Sequence, residues 1–241
     1  MVRVGVVYNI VRDLCNKDQK GFVTPAVFNT LAEAAQMNVY NEMFNELKLA
    51  TRLRRSGSDA GRDKSAYKMV EEDLSYFIST RVLNVAGDES SIRVLKPTNL
   101  SRIISMHVVD TETSVEIIYD IEKAKRVLNS NLSTPTEEFP VAMVFGDYTS
   151  GTDAPGQFIQ VYPDTISEDV VMNYYRLPEK PLYVTRDIGN GLIIEDAVSS
   201  VNFELPAHYL TELVGEIARM IGVRLRDDVL TQYGTAEITS K

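Results

Sequence analysis

The sequence predicts an α+β protein: an N-terminal helical bundle, a central antiparallel β module, and a C-terminal helix packing back on the N-terminal helices. Three observations predict it. Apolar residues recur at three- and four-residue steps through the first third of the chain, and again after Pro206. Between these stretches lie short runs rich in β-branched and aromatic residues, each bounded by Gly, Pro, Asp or Asn. No self-similarity recurs at periods of about 20–50 residues, so the chain is not a solenoid. The expected division is a helical part over 1–85 with 205–233 packed against it, a β-rich module over 86–204, and a polar, flexible tail over 234–241.

The elements follow in order. Val4, Val7, Ile10, Val11 and Leu14 share one helical face. A loop at 16–23 follows, and then Thr24 suits an N-cap and Pro25 the first helical turn. The next helix is long, reaching about Arg54, with a stripe of Val27, Leu31, Ala35, Val39, Met43 and Leu47. Ser56–Gly61 breaks it, and a third helix is expected from about Arg62 to Ile78. Strands are expected at 92–95, 103–109, 115–119, 141–145, 157–162, 170–177, 182–185 and 192–194, with one helix at 121–129. Strands at this spacing suggest a small sandwich or barrel-like sheet. Gly189-Asn190-Gly191 reads as a hairpin turn. After Pro206, residues Leu210, Leu213, Val214, Ile217, Ala218 and Ile221 form a last amphipathic helix with Gly222 as its cap. A short turn at 226–232 follows.

Composition narrows the function classes. The chain has 241 residues, 44% hydrophobic and 24% charged, values of an ordinary globular protein. A single cysteine, Cys15, excludes an internal disulfide framework and points to a reducing cytosol. No apolar run reaches the roughly 18 residues of a transmembrane helix, and the N-terminus lacks the small-residue cleavage site of a signal peptide. The net charge of −9 argues against broad binding to nucleic acid. One basic patch stands against that background: Arg52, Arg54, Arg55, Arg62, Lys64 and Lys68 crowd a span whose acids are Asp59 and Asp63. It is a solvated hairpin tip or a contact for an acidic partner or a phosphate backbone.

The chemistry-bearing patterns are few. The stretch Cys15–Phe28 (CNKDQKGFVTPAVF) resembles a calcium loop, with Asn16 and Asp18 at ligand positions and Gly21 at the turn. Lys20 falls where an oxygen ligand is needed, and Val27 where a bidentate glutamate should close the shell. The stretch is better explained as a helix–loop–helix corner. Cys15, His107 and His208 show no metal-ligand spacing, and no cofactor motif occurs. Carboxylates cluster at Glu71-Glu72-Asp73, Glu137-Glu138 and Asp227-Asp228, but adjacent acids on polar faces are solvated charge rather than an acid–base pair. No catalytic constellation emerges. The long polar loops at 130–138 and 147–156 are candidates for contacts with neighbours.

Asn16–Leu47 (NKDQKGFVTPAVFNTLAEAAQMNVYNEMFNEL) resembles a segment found in structural proteins of tailed bacteriophages. Tyr175–Pro181 (YRLPEKP), Leu205–Leu213 (LPAHYLTEL) and Ile221–Tyr233 (IGVRLRDDVLTQY) resemble further pieces of that family, in the same order. The chain departs from the family form around Val27, losing a polar Gln and Glu of the first turn while keeping Phe28 and Leu31 apolar. The family is that of head-to-tail connector rings, or adaptors, of crAss-like phages. The resemblance implies a non-enzymatic virion protein without cofactors, made in the host bacterial cytoplasm. It implies a homo-oligomeric ring of about twelve copies, closed by rotation. Its partners would be the portal protein, adjacent ring or tail proteins, and genomic DNA passing through the channel, with no membrane. Two other readings stay open: a small regulatory or nucleic-acid-binding module using the Arg52–Lys68 tip, and an enzyme with unrecognised carboxylate chemistry.

Overall fold

A computed structural model describes residues 1–16, 23–56, 62–83, 92–95, 97–147, 157–166, 169–189, 193–225, 232 and 235–236. The former calcium-loop stretch over 17–22, the loop at 148–156, the acids Asp227-Asp228 and most of the tail lie outside these residues. The helices are α1 (Val4–Asn16), α2 (Pro25–Ser56), α3 (Arg62–Ser75), α4 (Ile121–Leu128) and α5 (Leu210–Leu225), the last preceded by a 3-10 turn at Ala207–Tyr209. The strands are β1 (Ile78–Leu83), β2 (Ile92–Leu95), β3 (Leu100–Val108), β4 (Glu116–Ile118), β5 (Val141–Asp147), β6 (Gln157–Tyr162), β7 (Val170–Arg176), β8 (Thr185–Asp187) and β9 (Ile193–Glu195). The fold is α+β, and both α1 and α2 pack on α5.

The chain forms two compact units, Met1–Ser75 with Pro178–Lys241, and Tyr76–Leu177. In the first, Val4, Val7 and Val11 of α1, Phe28, Val39 and Met43 of α2, and Leu213 and Ile217 of α5 are buried. The buried face of α2 follows Phe28, Ala32, Ala35, Val39 and Met43 rather than the strict four-residue stripe from Val27. A step of four residues overshoots one turn by about 40°, so such a stripe drifts around a helix of 32 residues. Thr24 does serve the start of α2: its carbonyl accepts from the Phe28 N–H at 2.9 Å, and its Oγ1 from Val27 at 3.4 Å. The first N–H of α1 is held by Asn202, whose Oδ1 accepts from Val4 at 3.0 Å.

The segment after Pro178 belongs to the helical unit because α2 holds it by two buried or half-buried amides. Asn29 donates to the Tyr183 carbonyl at 3.0 Å and accepts from its N–H at 2.8 Å. Gln36, 1% exposed, donates to the Glu179 carbonyl at 2.7 Å and accepts from the Glu204 N–H at 3.1 Å. Each side-chain amide thus stands in for a strand neighbour. Tyr8, Phe28 and Tyr183 pack as one aromatic group beneath them, Tyr8 and Tyr183 stacked with ring centres 4.2 Å apart.

The second unit holds two sheets, ordered β1-β7-β3 and β2-β6-β5-β4. They share one core: Leu83, Met106, Val170 and Met172 from the first sheet meet Ala142, Ile159 and Val161 from the second. All pairings are antiparallel except β4 with β5, which α4 joins as a crossover. That helix covers the far face of the second sheet, packing Ala124 against Ile118, Val141 and Met143.

Two sequence expectations are corrected. α3 ends at Ser75, not at Ile78, and Ile78–Leu83 pairs instead with β7 as an edge strand. Gly222 does not cap α5, since the helix runs through it to Leu225 with Gly222 buried.

Candidate functional site

α2 and α3 pack against each other, and the six basic positions fall on the two helices. Arg52, Arg54 and Arg55 occupy the last turns of α2; Arg62, Lys64 and Lys68 lie on the first two turns of α3. Arg52 and Lys68 are exposed. The other four basic side chains, of Arg54, Arg55, Arg62 and Lys64, lie outside the described residues.

A separate cluster on these helices is acidic. Asp73 near the end of α3 reaches the start of α5, where its Oδ2 accepts from the Tyr209 hydroxyl at 3.2 Å. His208 Nε2 lies 3.1 Å from that same oxygen and donates to it when protonated there. Burial pushes the Tyr209 hydroxyl well above its ordinary pKa, and the charges of Asp73, Glu46 and Glu212 push it the same way. Carboxylates from α2, α3 and α5 thus act on one side chain. Between α2 and α5 a groove of about 290 Å³ is lined by Asn38, Val39, Asn41, Glu42, Glu212 and Glu216. Glu216 is largely buried there. Burial alone would raise its pKa, but hydrogen bonds from Arg219 at 2.6 and 3.0 Å and from Asn38 at 2.6 Å outweigh it and hold the carboxyl low. The Arg219 guanidinium is raised in turn, chiefly by its bonds to Glu216.

The remaining expected residues sit apart. Cys15 is buried near the end of α1. His107 is on β3 and faces Val171 in the register. Glu137 and Glu138 are exposed between Thr136 and Phe139, whose backbones bond to each other. The loop at 130–138 carries the fully exposed Leu132. Among the described residues, no three His, Cys, Asp or Glu are arranged to hold a metal, and no helix is long and apolar enough to cross a membrane.

Sequence reasoning missed the joint of Asp73 with His208 and Tyr209, because its partners are 135 and 136 residues apart. It missed the amide pair on α2 as well. A signal existed: Asn29 and Gln36 are seven residues apart on an otherwise apolar face, and a buried amide there requires a partner. No protein-family model matches the chain, and no curated protein matches it significantly.

Proposed function

We propose that the chain is a structural virion protein that forms an oligomeric ring, an adaptor between the portal and the tail of a tailed bacteriophage, continuing the DNA channel. The observation that carries this reading is the sequence resemblance of four segments in family order. The fold supports it. Phe28 and Leu205, both within those segments, are fully buried, and Pro181 and Tyr209 are buried as well. Asn29, in the first segment, pairs with Tyr183, two residues past the second. The segments are therefore framework, suited to a scaffold component. A ring also needs two unlike faces on each subunit, and α2 carries its carboxylates from Glu33 to Glu46 and its cations from Lys48 to Arg55.

Electron microscopy of the purified protein, alone and mixed with portal rings, tests the proposal. Closed rings are expected, of the roughly twelve copies that the resemblance implies. A protein that stays monomeric at every concentration and never joins a portal or tail refutes it.

A further inference from the structure

The sheet ordered β1-β7-β3 has two outer strands, and only one of them is guarded. An outer strand presents unpaired N–H and C=O groups that invite another strand, and proteins blunt such edges with bulges, short length or charge. β3 is blunted. Its register against β7 shifts between Leu100 and Arg102 and again between Ile103 and Ser105. Its last residues are covered by the turn that follows, where Val108 donates to the Thr113 carbonyl and Val115 to the Met106 carbonyl. The outer strands of the other described sheets are short: β2 has four residues, and β4, β8 and β9 have three each. β1 instead runs for six residues in unbroken register with β7, without Pro or Gly. Among the described strands, β7 is its only partner.

The Phe77 carbonyl accepts from the Arg176 N–H at 2.9 Å, which fixes the phase of the strand. Backbone groups alternate in direction along an antiparallel strand. Those of Ser79, Arg81 and Leu83 therefore turn toward β7, and those of Ile78, Thr80 and Val82 turn outward. Side chains alternate with the same period. Leu83 points into the core, so Ile78, Thr80 and Val82 stand on the opposite face. There Ile78 is 45% and Val82 51% exposed.

This edge complements itself. In a new antiparallel ladder, the residues that pair are those whose backbone groups point outward. One register pairs all three: Thr80 faces its own counterpart, and Ile78 and Val82 face each other twice. Each such pair exchanges two hydrogen bonds, about six in all. A slip of two residues either way leaves one of the three without a strand partner. The side chains agree with that register. β-Branched residues meet in every one of these pairs, a favourable cross-strand match. The one charge, Arg81, lies opposite Ser79 and never faces itself directly. About Thr80, the run Ile-Ser-Thr-Arg-Val has the same order of apolar and polar residues in both directions. That symmetry singles out a second copy as the occupant.

We infer that β1 is a docking edge for β1 of a second copy, antiparallel and two-fold symmetric about Thr80, so that two sheets become one. The contact is isologous and closes at two copies, whereas a ring uses unlike faces. The inference therefore stands apart from the ring reading. A ladder of about five residues is a small contact beside the roughly 1,600 Å² of a standard interface, so the pair is weak and forms at high protein concentration.

The test uses the full chain. Sedimentation velocity from about 10 μM to about 1 mM, a range suited to weak association, compares wild type, Thr80→Lys, Thr80→Glu and an equimolar mixture of the two variants. The wild type is expected to pair. Each variant sets like charges against each other on the two-fold axis, so each alone should pair about tenfold more weakly or worse. The mixture should regain pairing, which chains that fail to fold cannot do. Cross-linking reads the register. Thr80→Cys sets two thiols on residues about 5.5 Å apart at Cα, within disulfide reach. Val82→Cys sets them about 14 Å apart, four residues out of step along the strands. Mild oxidation should couple the first variant and not the second, since the native Cys15 is buried. A wild type that stays monomeric throughout overturns the inference. A Val82→Cys cross-link as fast as that of Thr80→Cys overturns it as well. Association that both charge variants leave unchanged overturns this contact and leaves the ring reading standing.

Discussion

Replacing Gln36 with alanine removes both hydrogen bonds that this side chain makes to the returning chain. The Glu179 carbonyl loses a donor at 2.7 Å, and the Glu204 N–H loses an acceptor at 3.1 Å. A buried backbone group left without a partner costs about 1–3 kcal/mol. Glu179 is an exposed residue, so water reaches its carbonyl more readily than the Glu204 N–H, and the lower part of that range applies to it. The expected loss is about 2–3 kcal/mol, a large part of the 5–15 kcal/mol that holds a domain together. Gln36→Glu should cost at least as much near pH 7. It keeps the acceptor for Glu204 but turns a charged oxygen toward the Glu179 carbonyl at a site that is 1% exposed. The assay is urea unfolding followed by circular dichroism at 222 nm, since the chain has no tryptophan. A midpoint lowered by about 1 M with an unchanged slope would match the estimate. The exposed Asn45, which donates to Glu42 at 3.2 Å, is the control. A loss below about 0.5 kcal/mol for Gln36→Ala, or an equal loss for Asn45→Ala, would refute the argument.

Three further outcomes are expected. Asp120 caps α4 by accepting from the Glu122 N–H at 2.9 Å, so Asp120→Ala should cost about 1 kcal/mol and Asp120→Asn much less, read as thermal stability. A Cβ on Gly5 would overlap the Glu195 carboxylate, which is the far end of a flexible side chain. Gly5→Ala should therefore be nearly neutral, and Gly5→Ala with Glu195→Ala should be more stable than Glu195→Ala alone by about 0.5–1 kcal/mol, the helical gain of alanine over glycine. The two perturbed groups near α5 predict opposite pH limbs. The Glu216 carboxyl is held low, so its stabilisation is complete above the ordinary carboxylate range and is lost as pH falls through its folded pKa. The Tyr209 hydroxyl is held high, so its contribution is complete below its ordinary pKa of 10.0 and is lost as pH rises beyond it. Glu216→Gln should flatten the acid limb of the stability curve and Tyr209→Phe the alkaline limb; unchanged limbs would refute the assignment.

Local signals in the sequence located most helices and strands because the residues that decide them are close together. Thr24-Pro25 starts α2 through its own backbone and hydroxyl, and the apolar period of α1 and α5 matches their buried faces. β1 was hidden for a physical reason. Leu74 and Phe77 continue a helical spacing, and Ile78–Leu83 shows no clean alternation because it is an edge strand exposed along most of its length. Its partner strand β7 lies about ninety residues away, as in Thr80 with Asn173. Gly222 misled because a glycine near a helix end resembles a cap, whereas its burial within α5 fixes it as an interior residue. Of the candidate site, the basic positions were readable as a list, but the acidic cluster was not. It is assembled from Glu46, Asp73 and Glu212, on three helices separated by long stretches of chain.

The β unit is an uninterrupted stretch of chain whose two ends leave side by side. The Arg176 N–H bonds the Phe77 carbonyl at 2.9 Å, and Ile78 stands opposite Tyr175. The helical unit, by contrast, is split across the sequence. Synthesis proceeds from the N-terminus at about 5–20 residues per second. All strands of the two packed sheets have therefore emerged once Leu177 clears the ribosome, while α1 and α2 still lack Tyr183, Glu204 and α5. For those seconds the apolar faces that later meet α5 have nothing to cover them. The order of birth in this chain makes the inserted cassette the early folder and the scaffold around it the late one.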